Sequence, residues 1–261
     1  MIDIHCHLLY DLDDGPRTLT ESLTMCRLAI SAGTRTIVAT PHSPASTASR
    51  HYDPAMIRAQ VAELNGLLHE RNFDLTILAG TEVTFAAAIA SQLATGQLLT
   101  LGPSRAVLLE IDAATIPDGF ETVLFQLQLQ GHQIVLAHPE RLLDVQRDAD
   151  RLLPLIERGV LIQITAAAIT GHQGERLQAA AQNLLQRQMA HIVASDGHGL
   201  PPRRLPQLGE ARAQVERLVG VEMATALFET TPRALIDGAP IQPARPLSPR
   251  RRGRGRFGGA A

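Results

Sequence analysis

The stretch Met1-Ile2-Asp3-Ile4-His5-Cys6-His7 has the composition of a short buried strand that ends in two histidines. Side chains two residues apart share one face of a strand, so His5 and His7 point the same way while Cys6 faces the other side, where we expect helices. Two histidines at this spacing can bind one metal ion, although two surface histidines would give the same pattern. The stretch therefore predicts a strand that carries two imidazoles to one site.

Six further apolar, β-branched runs follow, each succeeded by a helical pattern. They are Arg35–Thr40, Leu75–Ala79, Ala106–Ile111, Gln133–Ala137, Val160–Thr165 and His191–Ser195. Helix signals lie between them, such as the capping pair Thr18 and Glu21 and the start Asp53-Pro54. Strands that alternate with helices at this spacing indicate βαβ units. The seven runs predict an α/β fold with a parallel barrel, in one domain that spans residues 1–238.

Charge is unevenly distributed along the chain. Six arginines and no acidic residue follow position 238, whereas residues 1–238 hold 18 arginines against 26 Asp and Glu. The composition of residues 239–261 predicts a disordered tail rich in Arg, Gly and Pro. An acidic body with two Tyr, six Phe and no Trp argues against nucleic-acid binding through a basic, aromatic surface.

Residue usage also limits the compartment and the chemistry. No apolar run approaches the roughly 20 residues of a membrane helix, and no charged segment of a signal peptide precedes the first strand. We expect a cytoplasmic protein without membrane insertion, with Cys6 and Cys26 as free thiols. The chain contains no lysine, which excludes Schiff-base chemistry and metal bridges made by carbamylated lysine. Nothing in the sequence predicts an oligomeric state.

Metal-ligand residue types stand at the carboxyl ends of five of the six other predicted strands, where barrel enzymes keep their active sites. These residues are His42, Glu82, Glu110, His138, Asp196 and His198. Each has an ordinary structural explanation: Glu110 could be an exposed strand end, His138 a hydrogen-bonded core histidine and Asp196 a helix cap. Several carboxylates in one buried site need cations, and imidazole with carboxylate suits Mn, Fe or Zn. The coincidence of so many strand ends predicts a site for several metal ions.

The sequence resembles the polymerase and histidinol phosphatase (PHP) family of metal-dependent phosphoesterases over roughly residues 1–237. It is most similar to the bacterial manganese-dependent protein-tyrosine phosphatases of capsule and exopolysaccharide synthesis. The motifs that carry this resemblance are Met1–His7, Asp11-Leu12-Asp13-Asp14-Gly15-Pro16, Thr36–His42, His138-Pro139-Glu140-Arg141, Ile192–His198 and Thr231-Pro232-Arg233.

The resemblance implies a distorted TIM-like (β/α)7 barrel that holds three divalent metal ions, with Mn preferred and Fe or Zn possible. It implies a first metal bound by His5, His7, Glu82 and Asp196. A second would share Glu82 and add Glu110 and His138, and a third would take Asp14, His42 and His198. Asp14 is singled out by the resemblance alone, since it could otherwise be a turn residue before Gly15-Pro16.

The implied activity is hydrolysis of phosphotyrosine by metal-activated hydroxide, on a protein substrate such as a bacterial tyrosine autokinase that regulates polysaccharide synthesis. Arg141 and Arg203 are the candidates for binding the transferred phosphoryl group, because a guanidinium matches phosphate oxygens bidentately. Arg204 stands beside Arg203, and either could point inward. For Arg141 and Arg203 alike, the alternative is a solvated loop arginine.

Three other functions are compatible with some of these features or need to be excluded. A small-molecule phosphatase, acting on histidinol phosphate or another metabolite, would use the same metal core. A catalytically degenerate barrel could instead regulate a polysaccharide-assembly kinase, although no predicted ligand is missing. A cysteine-based tyrosine phosphatase is excluded, because Leu12 and Ala32 stand where an arginine is required, six residues after Cys6 and Cys26.

Overall fold

The computed structural model describes residues 1–201, 204–243 and 246–247. Its strands are β1 (Ile2–Cys6), β2 (Thr36–Ala39), β3 (Thr76–Ala79), β4 (Glu82–Thr84), β5 (Ala106–Glu110), β6 (Gln133–Ala137), β7 (Leu161–Thr165) and β8 (Ile192–Ala194). A strand forms within each of the seven predicted runs. The short strand β4 is additional, and it follows β3 after a break at Gly80 and Thr81.

All strand pairs are parallel, in the orders β1-β2-β3 and β4-β5-β6-β7-β8. Backbone hydrogen bonds join the two sheets at both edges. His7 N donates to Gly197 O at 2.8 Å, which joins the end of β1 to the segment after β8. Ser43 N donates to Glu82 O at 2.9 Å, which joins the segment after β2 to β4. Because β3 pairs with β2 and β4 with β5, these two act as one interrupted strand, and the predicted (β/α)7 barrel is confirmed.

The break between β3 and β4 depends on a glycine. A Cβ atom at Gly80 would lie 2.8 Å from Val38 Cγ1 on the neighbouring strand. Such a distance is far inside van der Waals contact, so a larger residue would push β2 and the interrupted strand apart. Gly80 thus allows the close approach at which the chain changes its pairing partner.

Helices cover the outside of the barrel. They are α1 (Leu19–Ser31), α2 (Pro54–Glu70), α3 (Ile89–Ala94), α4 (Phe120–Leu129), α5 (Leu143–Arg147), α6 (Leu153–Glu157), α7 (Ala166–Thr170), α8 (Glu175–Gln186), α9 (Gly209–Val219), α10 (Val221–Thr225) and α11 (Thr231–Ile236). The predicted helix starts are confirmed: the side chain of Thr18 accepts a hydrogen bond from Glu21 N, and that of Asp53 accepts one from Ala55 N. Among the described residues, no helix is long and apolar enough to cross a membrane.

Successive side chains along a strand pack into two different apolar clusters, one on each face of the sheet. On β5, Val107 and Leu109 pack in the cluster that includes the helices, while Leu108 packs in a second cluster and lies on the same face as Glu110. Cys6 packs with Met25 of α1, as predicted for the face opposite His5 and His7. On the face of β5 that carries Glu110, the apolar Leu108 thus lies deeper in the barrel, and the polar Glu110 lies at its carboxyl end.

Most of the predicted tail, residues 239–261, lies outside the described residues. Within the part that is described, Leu247 N donates a hydrogen bond to Arg187 O at 2.9 Å. The division into a domain at 1–238 and a disordered tail stays a prediction.

Candidate metal centre

All nine predicted metal ligands converge at the carboxyl end of the barrel. His5 lies in β1 and His7 just after it, and Asp14 lies in the loop that follows. Five others stand at or beyond the carboxyl ends of their strands: His42, Glu110, His138, Asp196 and His198. Glu82 lies beyond the carboxyl end of β3, as the first residue of β4. All are buried except Asp14, whose side chain is 48% exposed. Strand order thus assembles residues from the whole length of the chain.

The first group is built on the two histidines of β1. The Nε2 atoms of His5 and His7 lie 3.3 Å apart, and each lies 3.2 Å from one carboxylate oxygen of Glu82. Asp196 Oδ1 lies 3.5 Å from His5 Nε2 and 3.7 Å from His7 Nε2. The facing oxygens of Glu82 and Asp196 therefore all lie within 3.7 Å of an Nε2 atom of these two histidines.

Glu82 also belongs to a second group. His138 Nε2 lies 2.8 Å from Glu82 Oε1 and 3.7 Å from Glu110 Oε1. On the other side, His42 Nδ1 lies 3.1 Å from Glu82 Oε2 and 3.6 Å from Glu110 Oε2. One carboxylate thus faces two groups, as expected for a ligand shared between metals.

The third group is the most exposed. Asp14 Oδ1 lies 3.7 Å from His42 Nε2 and 3.4 Å from His198 Nε2. The His198 ring stacks on the His7 ring with a centroid separation of 3.8 Å. His42 presents one nitrogen to this group and the other to Glu82 and Glu110, a double position that the sequence did not predict.

The residues present fit divalent metal ions. Glu82 Oε2 and His42 Nδ1 are buried and lack a hydrogen-bond partner, although they lie only 3.1 Å apart. Buried polar atoms are normally paired, and a cation between these two would pair both. Imidazole and carboxylate donors in one site suit Mn, Fe or Zn. The assignment of each ligand to one of three metals stays a prediction.

The charges in this centre perturb one another strongly. Burial raises the pKa of the Glu82 carboxyl, but His5 and the other facing imidazoles outweigh it and hold that pKa well below its usual range. Burial and the neighbouring Glu82 raise the pKa of Glu110 to about 8. Burial together with Arg141 lowers the pKa of His138 to about 4. A neutral His138 has a free lone pair for a metal.

Two predicted ligands sit on strained backbone. His138 has φ +34° and Asp196 has φ +50°, in the left-handed region that non-glycine residues rarely adopt. Strain of this kind costs about 1–3 kcal/mol and persists where the surroundings over-determine the conformation. Both residues lie within two positions of the end of a strand, β6 or β8, so the strained backbone occurs where the chain directs a predicted ligand into the centre.

Two buried residues that the sequence reasoning missed hold the histidines of the first group. Asp13 Oδ2 lies 2.7 Å from His7 Nδ1, and Gln163 Oε1 lies 3.0 Å from His5 Nδ1. Hydrogen bonds at Nδ1 fix the ring and leave Nε2 to face the metal. Gln163 was detectable as a polar residue between two isoleucines in the middle of strand β7, and Asp13 as the neighbour of Asp14.

Two arginines approach the centre through Asp196. Arg141 donates to the Asp196 carboxylate. Its predicted role in binding the phosphoryl group stays a prediction. Arg204 Nε donates to Asp196 O at 2.8 Å, and a terminal nitrogen of Arg204 lies 3.2 Å from Asp196 Oδ2. Arg203 lies outside the described residues. Arg204 therefore lies at the centre, and the role of Arg203 stays a prediction.

A seven-stranded parallel barrel with clustered histidines and carboxylates at its carboxyl end defines a metal-dependent hydrolase fold of the PHP type. Residues 1–237 match the family model described as capsular polysaccharide synthesis, CpsB/CapC. The chain belongs to this family, and the predicted membership is confirmed.

Individual relatives agree with this placement. The tyrosine-protein phosphatase YwqE of Bacillus subtilis is 34% identical over 88% of this chain and 89% of its own length. CpsB of Streptococcus pneumoniae, also named a tyrosine-protein phosphatase, is 29% identical over 90% of this chain and 98% of its own length. A crystal structure from work on YwqE and CpsB, described as unique metal-dependent tyrosine phosphatases, superimposes on 96% of this chain with a TM-score of 0.89 and 33% identity.

A more distant likeness concerns the fold alone. A dihydropyrimidinase from Brevibacillus agri superimposes on 95% of this chain and 72% of its own length, with a TM-score of 0.53 and 14% identity. The likeness is that of one barrel to another.

Proposed function

We propose that this protein is a metal-dependent protein-tyrosine phosphatase, a phosphoric monoester hydrolase. The observation that carries the proposal is the convergence of nine ligand-type side chains and two arginines on one face of the barrel. The names of the family's relatives support the same reaction. A degenerate regulatory barrel is disfavoured, because the sequence lacks none of the ligand-type residues and their side chains lie in groups that could hold metal ions.

We propose that the centre holds three divalent ions, with Mn preferred. His5, His7, Glu82 and Asp196 would bind the first, Glu82, Glu110 and His138 the second, and Asp14, His42 and His198 the third. Metals bound by these residues would supply a water activated near neutral pH and positive charge for the phosphate oxygens.

The arginines would bind and orient the phosphoryl group. Arg141 and Arg204 have side chains that are 30% and 29% exposed, so each guanidinium reaches from buried Asp196 to the open rim. Each guanidinium carries five N–H donors, which allows one edge to hold Asp196 while another binds phosphate oxygens. Asp196 in this way holds the arginines in position before the substrate arrives. Arg203 stays a predicted contributor from sequence alone.

The substrate would be phosphotyrosine on a protein, and we propose a bacterial tyrosine autokinase that regulates capsular or exopolysaccharide synthesis in the cytoplasm. The partial exposure of Asp14, Arg141 and Arg204 supports a protein substrate. A centre that reaches solvent on this side is open to a side chain that projects from a large surface.

The test measures phosphate release by protein stripped with a chelator and refilled with Mn²⁺. A tyrosine-phosphorylated peptide is compared with the same peptide phosphorylated on serine and with histidinol phosphate, and Asp196→Asn serves as the inactive control. Metal-dependent turnover that favours the phosphotyrosine peptide is the expected result. Turnover of histidinol phosphate alone would move the function to metabolism and overturn the proposal.

A further inference from the structure

Asp13 is a fully buried carboxylate that the proposed chemistry leaves unused. Its Oδ2 atom lies 2.7 Å from His7 Nδ1 and accepts a hydrogen bond from His42 N at 3.0 Å. Its Oδ1 atom accepts one from Gly15 N at 2.8 Å. Asp13 therefore joins β1, the segment after β2 and the loop that carries Asp14.

We propose that Asp13 is a positioning residue that fixes the first and third metal-binding groups relative to each other. The inference rests on the proposed metal centre. Through the His7 ring Asp13 orients a ligand of the first group, and through the backbone of His42 and Gly15 it holds the two segments that carry His42 and Asp14. Loss of Asp13 should weaken metal binding at both groups, although Asp13 touches no metal itself.

The chemistry of Asp13 cannot be replaced by a neutral amide. Three N–H donors point at its two oxygens, and an asparagine has one oxygen and one NH₂ group. If the amide oxygen faces His7 and His42, the NH₂ group meets the N–H of Gly15. If the amide is turned over, the NH₂ group meets both of the other donors. Asp13→Asn thus leaves at least one donor facing a donor in a buried site.

The glycine beside Asp13 offers a second way to disturb it. A Cβ atom at Gly15 would lie 2.8 Å from Asp13 Oδ1 and 2.8 Å from His7 O. Gly15→Ala should therefore displace the carboxylate without removing its charge. It provides an independent variant if Asp13→Asn folds poorly.

The matched control is Asp3, a second buried carboxylate, which lies on β1. Asp3 Oδ1 accepts hydrogen bonds from His5 N at 3.3 Å and Ser195 N at 3.0 Å. These bonds are to backbone nitrogens, and no imidazole is among them. Both donors face the same oxygen, and Asp3 Oδ2 has no hydrogen-bond partner, so the amide oxygen of Asp3→Asn can keep both bonds. Asp3→Asn therefore tests whether loss of a buried negative charge near the centre has the same effect when the backbone of His5 and Ser195 stays held.

The experiment has two readouts, and neither uses a substrate. Mn²⁺ bound per chain is measured by elemental analysis across a range of free Mn²⁺, and the side-chain nitrogens of the histidines are observed by ¹H–¹⁵N NMR in the Zn²⁺-loaded protein. We expect Asp13→Asn and Gly15→Ala to weaken more than one metal equivalent by about 10- to 100-fold, as loss of a residue behind a ligand typically does. Asp14→Asn should weaken one equivalent, and Asp3→Asn none.

The NMR readout reports on His7 directly. Its Nδ1 proton, held by a carboxylate in the wild type, should shift upfield in Asp13→Asn and stay in place in Asp3→Asn. An Asp13→Asn protein that loses a single equivalent, as Asp14→Asn does, or that leaves the His7 proton unmoved, would overturn the proposal. Phosphatase activity of the wild type is measured separately, so a wrong substrate assignment is distinguishable from a wrong role for Asp13.

Discussion

Replacing Glu82 with glutamine should remove two metal ions rather than one. Glutamine keeps the size of the side chain and one oxygen, but it loses the negative charge that two groups share. The carboxylate oxygens lie 2.8–3.2 Å from nitrogens of His5, His7, His42 and His138. Glu110 is the matched comparison, since its carboxylate lies 3.6 Å from His42 Nδ1 and 3.7 Å from His138 Nε2.

The size of the effect follows from this sharing. Glu82→Gln should lower the metal content by two equivalents at limiting Mn²⁺, whereas Glu110→Gln should lower it by one. A catalytic metal contributes several kcal/mol of transition-state stabilisation. A loss of about 4 kcal/mol corresponds to a rate about 10³-fold lower. We therefore expect Glu82→Gln to be slower by at least this factor.

The assay combines elemental analysis of the purified variants with single-turnover hydrolysis of a phosphotyrosine peptide. Circular dichroism of each variant, recorded with and without Mn²⁺, confirms that it is folded. Equal metal content in Glu82→Gln and Glu110→Gln would refute the assignment of Glu82 as the shared ligand. Full activity of Glu82→Gln would refute the metal centre itself.

Three further outcomes are expected. Arg141→Lys keeps the positive charge but loses the planar guanidinium that can bind two phosphate oxygens, so kcat/KM should fall about 10- to 100-fold at unchanged metal content. An unchanged kcat/KM would exclude Arg141 from phosphate binding. Burial lowers the pKa of His191 to about 4, while an unfolded histidine titrates near about 6.5, so the wild type should lose up to about 3 kcal/mol of stability as the pH falls between these values. The free energy of unfolding measured with urea should depend less on pH in His191→Asn than in the wild type, because asparagine does not titrate but keeps an acceptor for Ile162 N. Parallel curves for the two proteins would contradict this interpretation. One Mn²⁺ ion at 100 times its Kd stabilises the folded state by about 2.7 kcal/mol, so chelation should lower Tm reversibly by about 5–10 °C for each ion bound, whereas identical melts would mean that the folded state binds no metal.

The barrel was predictable because its signals are local. Each strand is a short apolar run, and the helix starts at Thr18 and Asp53 carry their own caps. The strand β4 was not predicted as a separate strand, because Glu82–Thr84 is too short to show a period. Its pairing depends on the approach of Gly80 to Val38, a contact between distant parts of the chain that no local pattern reveals.

The centre was predictable to the extent that its ligands end strands. His42, Glu110 and His138 follow from that rule, because parallel strands bring their carboxyl ends together. Asp14 lies in a loop, and its composition alone would also fit a turn. The choice between Arg203 and Arg204 depends on which side chain points inward, and adjacent residues in a loop carry no period that could decide it.

The break between β3 and β4, which the sequence did not reveal, also makes it possible for two metals to share Glu82. A continuous third strand would pair with β2 and β5 in one register, and its side chains would alternate without interruption. Instead the chain breaks at Gly80, and Glu82 begins a new strand. There Glu82 N donates to Pro41 O and Ser43 N donates to Glu82 O, on either side of His42. On the other edge Glu82 pairs with Leu108, two residues before Glu110. The break therefore sets the Glu82 carboxylate between ligands from both neighbouring strands, where one side chain can serve two metals.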